Sequence, residues 1–136
     1  MRGFTLLELI MVVIIIGVLA GIAIPQYLNS VERAKAGKAI SNMTLIRRAQ
    51  HLYRADNSEY HDISMGGWDA ASPAGLGGYV ELGGVDADVD WDYDTTANDE
   101  SAFEITATRM NGAYTGEDLI MDENGMTAFG TWTLPY

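Results

Sequence analysis

The chain begins with an unbroken apolar segment. Residues 4–24 are FTLLELIMVVIIIGVLAGIAI, in which only Thr5 and Glu8 are polar. As a helix, these residues extend about 31 Å at ~1.5 Å per residue, which matches the hydrocarbon thickness of a bilayer. Pro25 follows directly, and proline inside a helix causes a kink or a boundary. The pattern therefore predicts a transmembrane helix over residues 4–25.

A second helical pattern covers residues 26–56. This segment contains no proline, and its apolar residues recur mostly at three- and four-residue steps, as in an amphipathic helix. The apolar stripe comprises Leu28, Val31, Ala36, Ala39, Ile40, Met43, Ile46, Ala49, Leu52 and Tyr53. The opposite face carries the basic residues Arg33, Lys35, Lys38, Arg47, Arg48 and Arg54. We expect the apolar stripe to cover the sheet of a small head.

The head begins with a segment rich in Gly, Ser and Asn. Residues 57–84 predict an ordered loop, with anchors at Tyr60, Trp68, Tyr79 and Val80. Residues 85–94 then read VDADVDWDYD, in which apolar residues alternate strictly with aspartates. Alternation with a period of two predicts a strand that buries one face.

Two further segments repeat the strand pattern. The repeats are at Phe103, Ile105 and Ala107, and at Leu119 and Met121. Asn124-Gly125 indicates a tight hairpin into a last strand. We therefore predict three or four antiparallel strands and an α+β fold. In this fold a long amino-terminal α-helix, half transmembrane and half amphipathic, packs on a small antiparallel β-sheet head.

Charge is divided unevenly along the chain. Residues 1–54 hold 7 basic and 2 acidic residues, whereas residues 55–136 hold 17 acidic residues and one basic residue, Arg109. The total net charge of −11 disfavours binding to nucleic acid. The chain has no cysteine, which excludes disulfides and thiolate chemistry.

Glu8 is the unusual residue of the apolar segment. A carboxylate well inside hydrocarbon costs about 3 kcal/mol, so it requires a partner. No basic side chain follows within the span. Cleavage between Gly3 and Phe4 would create an amine close to Glu8 in sequence, which could serve the carboxylate of its own chain or of a neighbour. Because an unpaired buried carboxylate is costly, such a pair would fix the register between subunits.

A secretory signal peptide and a plain single-span anchor are alternatives for the same segment. A signal peptide would use Arg2 as its charged region and residues 21–23 as a cleavage site. The apolar run is longer than the usual ~7–15 residues, and Glu8 interrupts it. A plain anchor explains the length but not Glu8.

The sequence GFTLLE at residues 3–8, followed by an apolar run to Pro25, resembles the processing signature of type IV pilins and of type II secretion pseudopilins. The resemblance covers residues 3–27. It implies that a prepilin peptidase cuts after Gly3 and that Phe4 is then N-methylated. It also implies that residue 8 aligns an incoming subunit with the terminal amine of a neighbour.

The resemblance implies a division of the chain and a function. The parts are a leader (1–3), a transmembrane and filament-core helix (4–25), a stem helix (26–56) and a globular head (57–136). The stretch from Gly17 to Pro25 is similar to one that loses helicity in the fibre. The implied function is a structural subunit of a type IV pilus, for adhesion, motility or uptake.

The partners implied by the resemblance are copies of the chain in a helical filament, the prepilin peptidase, an inner-membrane assembly platform, and membrane lipid before assembly. The precursor would lie in the bacterial inner membrane with its head outside the cytoplasm, and then in a surface pilus or a periplasmic pseudopilus. The head lacks the cysteine pair of many pilins, so a type II secretion pseudopilin remains an alternative. A membrane-anchored binding domain that does not polymerise is a third.

Basic residues after the span conflict with this orientation. Positive charge beside a span favours the cytoplasmic side, and Arg33, Lys35 and Lys38 stand just beyond it. We follow the prepilin signature, because it is the more specific feature. Our hypothesis is that the basic stem faces the acidic heads of neighbouring subunits.

The acidic residues of the head suggest a calcium site, because Ca²⁺ prefers several carboxylate oxygens. The candidates are Asp86, Asp88, Asp90, Asp92 and Asp94, with a second group at Glu117, Asp118, Asp122 and Glu123. Neither group has the glycine pattern of a calcium-binding loop, so we expect a solvated acidic face and no cofactor. His51 and His61 have no nucleophile arrangement around them, so we expect no enzyme.

Overall fold

The computed structural model describes residues 4–63, 75–98, 101–128 and 130–133. Within them, a long helix α1 (Leu6–Asn57) precedes a 3₁₀ turn (Leu76–Gly78) and a short helix α2 (Gly83–Asp86). The strands that follow are β1 (Trp91–Asn98), β2 (Ala102–Arg109), β3 (Asp118–Asp122) and β4 (Gly125–Ala128). They form one antiparallel sheet in the order β1-β2-β3-β4. The predicted α+β fold is confirmed. Trp68, one of the predicted anchors of the loop, lies outside the described residues.

The long helix α1 is continuous. It begins after the N-cap Thr5, passes through Pro25, and ends where Ser58 adopts a left-handed conformation with φ 64°. The Ser58 N–H donates to the carbonyl oxygen of Arg54 at 2.8 Å, which satisfies one of the last carbonyls. The helix therefore continues through Pro25, where a kink or a boundary was predicted, and it ends at Asn57, one residue beyond the predicted stem.

The middle of α1 packs against the sheet. Its buried apolar residues are Ala36, Ala39, Met43, Ile46 and Ala49. The sheet buries Trp91, Tyr93, Phe103, Ile105, Ala107, Leu119 and Met121 against them. The predicted stripe is thus confirmed at its centre and at Tyr53, which packs against the core, but it is wrong at Leu28 and Leu52. Leu28 lies before the first buried position, Leu52 lies on a flank that turns to solvent, and both are exposed.

The strand predicted over residues 85–94 is wrong in its first half. Val85 belongs to α2, and the strand begins only at Trp91. The Ala87 N–H donates to the carbonyl of Gly83, and the Asp88 side chain accepts the N–H of Asp90 at 3.1 Å. Aspartate side chains compete with strand pairing by bonding nearby backbone in this way. Residues 85–90 therefore lie in α2 and the turn that follows it, although their apolar residues alternate, and the strand begins at Trp91.

The predicted hairpin is confirmed between β3 and β4, but its loop lies one residue before the predicted Asn124-Gly125. Asp122 pairs with Gly125, so the loop residues are Glu123 and Asn124. The Asp122 carboxylate accepts the backbone N–H groups of Asn124 at 2.8 Å and Gly125 at 2.9 Å. Gly125 has φ +137°, a conformation that favours glycine.

Candidate assembly helix and its attachment to the head

The amino-terminal half of α1 has an exposed apolar surface on every side. Its most apolar stretch has no buried residue, and its large side chains from Phe4 to Leu28 are 48–85% exposed. By length and composition α1 can cross a membrane. An apolar surface of this extent marks contact with lipid or with another protein.

Thr5 and Glu8 form a capping box at the start of α1. The Thr5 N–H and hydroxyl donate to Glu8 Oε2 at 2.9 and 2.8 Å, and the Glu8 N–H donates to the Thr5 hydroxyl at 3.3 Å. The Glu8 carboxylate therefore accepts hydrogen bonds within its own chain, and both donors belong to Thr5, the residue after Phe4. The spacing T-x-x-E is itself the signature of a capping box, but this role of Thr5 was not predicted. Gly3 lies outside the described residues.

The other two predicted assembly residues lie within the helix. A Cβ atom added at Gly17 would meet no described atom within 4 Å. Pro25 lines a groove of about 340 Å³ with Leu28, Val31 and Tyr114, among others. The groove lies where the apolar half of α1 meets the head. Both residues therefore face space that another molecule can occupy.

A buried arginine attaches the stem to the head. Arg109, at the end of β2, is 1% exposed. Its Nε and Nη2 each donate to a Glu32 carboxylate oxygen at 3.2 Å, which is a bidentate pair with α1. Its Nη1 donates to the carbonyl oxygen of Asp90 at 2.7 Å and to Oδ1 of the same residue at 3.0 Å. This one side chain therefore joins α1, β2 and the turn before β1.

Lys35 completes this cluster. Its Nζ lies 3.0 Å from Asp90 Oδ1 and 3.8 Å from Glu32 Oε1. The hydrogen bond from Lys35, with further contributions from Arg109, lowers the pKa of Asp90 below its usual value. We call Glu32, Lys35, Asp90 and Arg109 the stem–head clamp. In the sequence, Arg109 stands out only as the single basic residue of the acidic half, because its partners are distant in sequence.

A second polar contact lies further along the stem. Lys38 Nζ lies 3.0 Å from Asp88 Oδ1, and the Asn42 amide donates to Asp88 at 3.1 Å and to the Tyr93 hydroxyl at 2.9 Å. The Tyr93 hydroxyl donates to Asp88 at 2.8 Å, and burial raises the pKa of Tyr93. Lys35 and Lys38 therefore pair with their own head, and the hypothesis that they face neighbouring heads is wrong for them.

The structure does not gather the calcium candidates. Asp88 and Asp90 bind the stem, while Asp92 and Asp94 lie on β1. Asp118 accepts the Thr131 N–H at 2.7 Å and the Thr131 hydroxyl, which lowers the pKa of Asp118.

Two aspartate candidates remain. Asp122 closes the β3–β4 turn, and the Asp86 side chain lies outside what the structure describes. Within the described residues, no three histidine or carboxylate side chains form a metal-binding group.

Comparison with known proteins supports the prepilin signature. Residues 1–24 match the family "Prokaryotic N-terminal methylation motif". The chain is 40% identical over 65 residues to "Type II secretion system core protein G" of Escherichia coli, covering 48% of this chain and 45% of that protein. It is 38% identical over 87 residues to "Type IV major fimbrial protein FimA" of Dichelobacter nodosus, covering 64% and 56%.

These matches confirm the resemblance to type IV pilins and type II secretion pseudopilins. By name, one relative is a core protein of a type II secretion system and the other is a type IV major fimbrial protein. The chain spans about half the length of the curated relatives it matches.

Proposed function

We propose that the chain is a structural subunit that polymerises into a type IV pilus through α1. The observation that carries this proposal is the continuity of α1. One half is apolar and unburied, while the other half is buried against the sheet and held by the clamp. The head is thereby fixed to an apolar rod that is available to lipid first and to other copies afterwards.

The amino terminus supplies the processing and alignment steps of this proposal. A prepilin peptidase cuts between Gly3 and Phe4, and Phe4 is then N-methylated. The new amine lies beside Thr5, whose N–H and hydroxyl already bind Glu8. Glu8 is exposed, so its carboxylate is open to the amine of a neighbour. A neighbour that offers this cation aligns correctly, whereas a misaligned one buries an unpaired carboxylate.

A pseudopilin of a type II secretion system is the second candidate function. The similarity to the secretion core protein favours it, as does the absence of cysteine. In both cases the precursor is anchored in the inner membrane with its head outside the cytoplasm. Deletion of the gene separates the two: loss of surface fibres indicates a pilus, and loss of protein export indicates a pseudopilus.

Substitution of Glu8 tests the proposed function. We expect Glu8→Leu to insert in the membrane at the wild-type level and to reduce fibre yield at least about tenfold, because the alignment pair is lost. Val13→Leu, also exposed on α1, is the matched control and should assemble normally. Normal fibre yield from Glu8→Leu would contradict the proposal. Unprocessed, unmethylated protein that never polymerises would instead indicate the membrane-anchored binding domain.

A further inference from the structure

The stem has an outward face that its own head leaves unused. Arg33 and Arg48 are exposed and have no ionic or hydrogen-bonding partner among the described residues. At about 100° per residue, Arg33 lies opposite the buried Asn42, and Arg48 lies opposite the buried Ala39. The exposed positions between the two arginines include the small residues Ala34, Gly37 and Ser41. We call this surface, from Arg33 to Arg48, the outward stem face.

The remaining cations of the described chain already have partners. Lys35, Lys38 and Arg109 pair with carboxylates. Arg47 donates to the carbonyl oxygen of Glu123, and Arg54 donates to the hydroxyl of a buried tyrosine. Arg47 and Arg54 keep their charge, because their partners are neutral, but contacts with the head hold both side chains. The outward stem face therefore carries the two described arginines that the head does not contact through a hydrogen bond or an ion pair.

The sheet has a solvent face of opposite charge. Strand side chains alternate, so positions next to the buried Phe103, Ile105 and Ala107 point away from α1. The carboxylates on this outer sheet face are Asp92, Asp94, Glu104, Asp118 and Asp122, and no lysine or arginine occupies its described strand positions.

Like charges are juxtaposed on this outer sheet face. Glu104 lies directly opposite Asp122 in the β2–β3 register. Like charges at opposed strand positions are destabilising. None of the face's carboxylates forms a salt bridge within the part of the chain that the structure describes. A cationic partner would therefore relieve a repulsion that the single chain retains.

We propose that the outward stem face of one copy binds the outer sheet face of a second copy. Charge complementarity selects this occupant, because Arg33 and Arg48, which are unpaired among the described residues, and the carboxylates of the outer sheet face lie on opposite sides of the same two-layer molecule. Contact between two different surfaces is head-to-tail, and such a contact produces an open filament when the rotation does not close a ring. This inference rests on the proposed function and identifies a contact between heads and stems outside the apolar core of the fibre.

Charge exchange in the full chain tests the contact. We expect Arg33→Gln with Arg48→Gln, or Asp94→Asn with Glu104→Gln, to reduce the yield of sheared fibres about tenfold. The exchanged pair Arg48→Glu with Glu104→Arg should recover much of the yield. Asp56→Asn with Glu59→Gln removes two exposed carboxylates elsewhere and is the matched control. Immunoblots of membranes and protease resistance of the head confirm that each variant is folded and present.

The outcomes separate this contact from the proposed function. Wild-type fibres should also dissociate more readily as salt rises from about 0.1 M to 1 M, because screening shortens from ~10 to ~3 Å. Full yield from both neutralised variants, with no effect of salt, would overturn the contact while leaving the fibre intact. Absence of fibres from the wild-type chain would overturn the proposed function and the contact together.

Discussion

Arg109→Met should destabilise the protein, because it removes the central side chain of the stem–head clamp. The arginine is buried and gives three hydrogen bonds to carboxylate oxygens and one to a carbonyl. Removing one partner of a buried ion pair costs ~3–5 kcal/mol, because the other charge is left uncompensated. Glu32 and Asp90 retain 17% and 24% exposure, and Lys35 remains 3.0 Å from Asp90. We therefore expect the free energy of unfolding to fall by the lower value, about 3 kcal/mol.

The assay is urea unfolding of the full chain in detergent micelles at neutral pH, followed by tryptophan fluorescence. Trp91 is a suitable probe, since the Arg109 guanidinium lies 5.7 Å from its ring centre. Arg48→Met is the matched control at an exposed position and should change stability by no more than about 0.5 kcal/mol.

A double variant checks the cause of that loss. Replacing Glu32 with Met in the Arg109→Met background should recover about 1 kcal/mol or more, because one buried carboxylate is removed with its partner. A loss below about 1 kcal/mol for Arg109→Met, or one equal to that of Arg48→Met, would refute the clamp.

Three further predictions concern the head in the same unfolding assay. Lys35 and Arg109 lower the pKa of Asp90, so the stability that Asp90 contributes is present above the ordinary carboxyl pKa of ~3.9 and is lost as pH falls through the lower folded pKa. Asp90→Asn should therefore lose less of its unfolding free energy than wild type between about pH 5 and 2. An unchanged pH profile would contradict this. Gly130→Ala should lower the free energy of unfolding by about 1–3 kcal/mol, because φ is +52° and the new Cβ would lie 2.6 Å from the Asp118 carbonyl oxygen. Gly37→Ala is the control, because its Cβ would meet no described atom within 4 Å, and it should stabilise the helix by up to ~1 kcal/mol. Equal effects of the two substitutions would exclude a steric cause. Asp122→Ala removes two hydrogen bonds of the β3–β4 turn and should lower the free energy of unfolding by about 1 kcal/mol. Unchanged stability would contradict this role of Asp122.

Local patterns predicted the parts of this fold that depend on sequence neighbours. The period of the apolar residues identified both halves of α1, and the alternation at Phe103, Ile105 and Ala107 identified β2. These predictions hold because helix and strand periodicities place neighbouring residues on one face. The same alternation wrongly predicted a strand at residues 85–90. There, backbone N–H groups donate to a nearby aspartate side chain and to carbonyl oxygens of α2 and do not pair with another strand.

The clamp could not be predicted in the same way. Arg109 and Glu32 are 77 residues apart, and no local pattern indicates that they meet. The sequence did show the charge imbalance, with a basic stem and an acidic head. What it could not show is how the cations divide, with Lys35 and Lys38 used internally and two arginines left outward. That division depends on which helix face the sheet covers.

The central claim is that α1 packs against α1 of other copies in a fibre. Its most direct test is a photo-activated crosslinker placed at Val13 in isolated surface fibres, with crosslinked peptides identified by mass spectrometry. We expect adducts to α1 of a second copy, from a chain that begins at N-methylated Phe4. Adducts to lipid alone, from a chain that still carries residues 1–3, would contradict it.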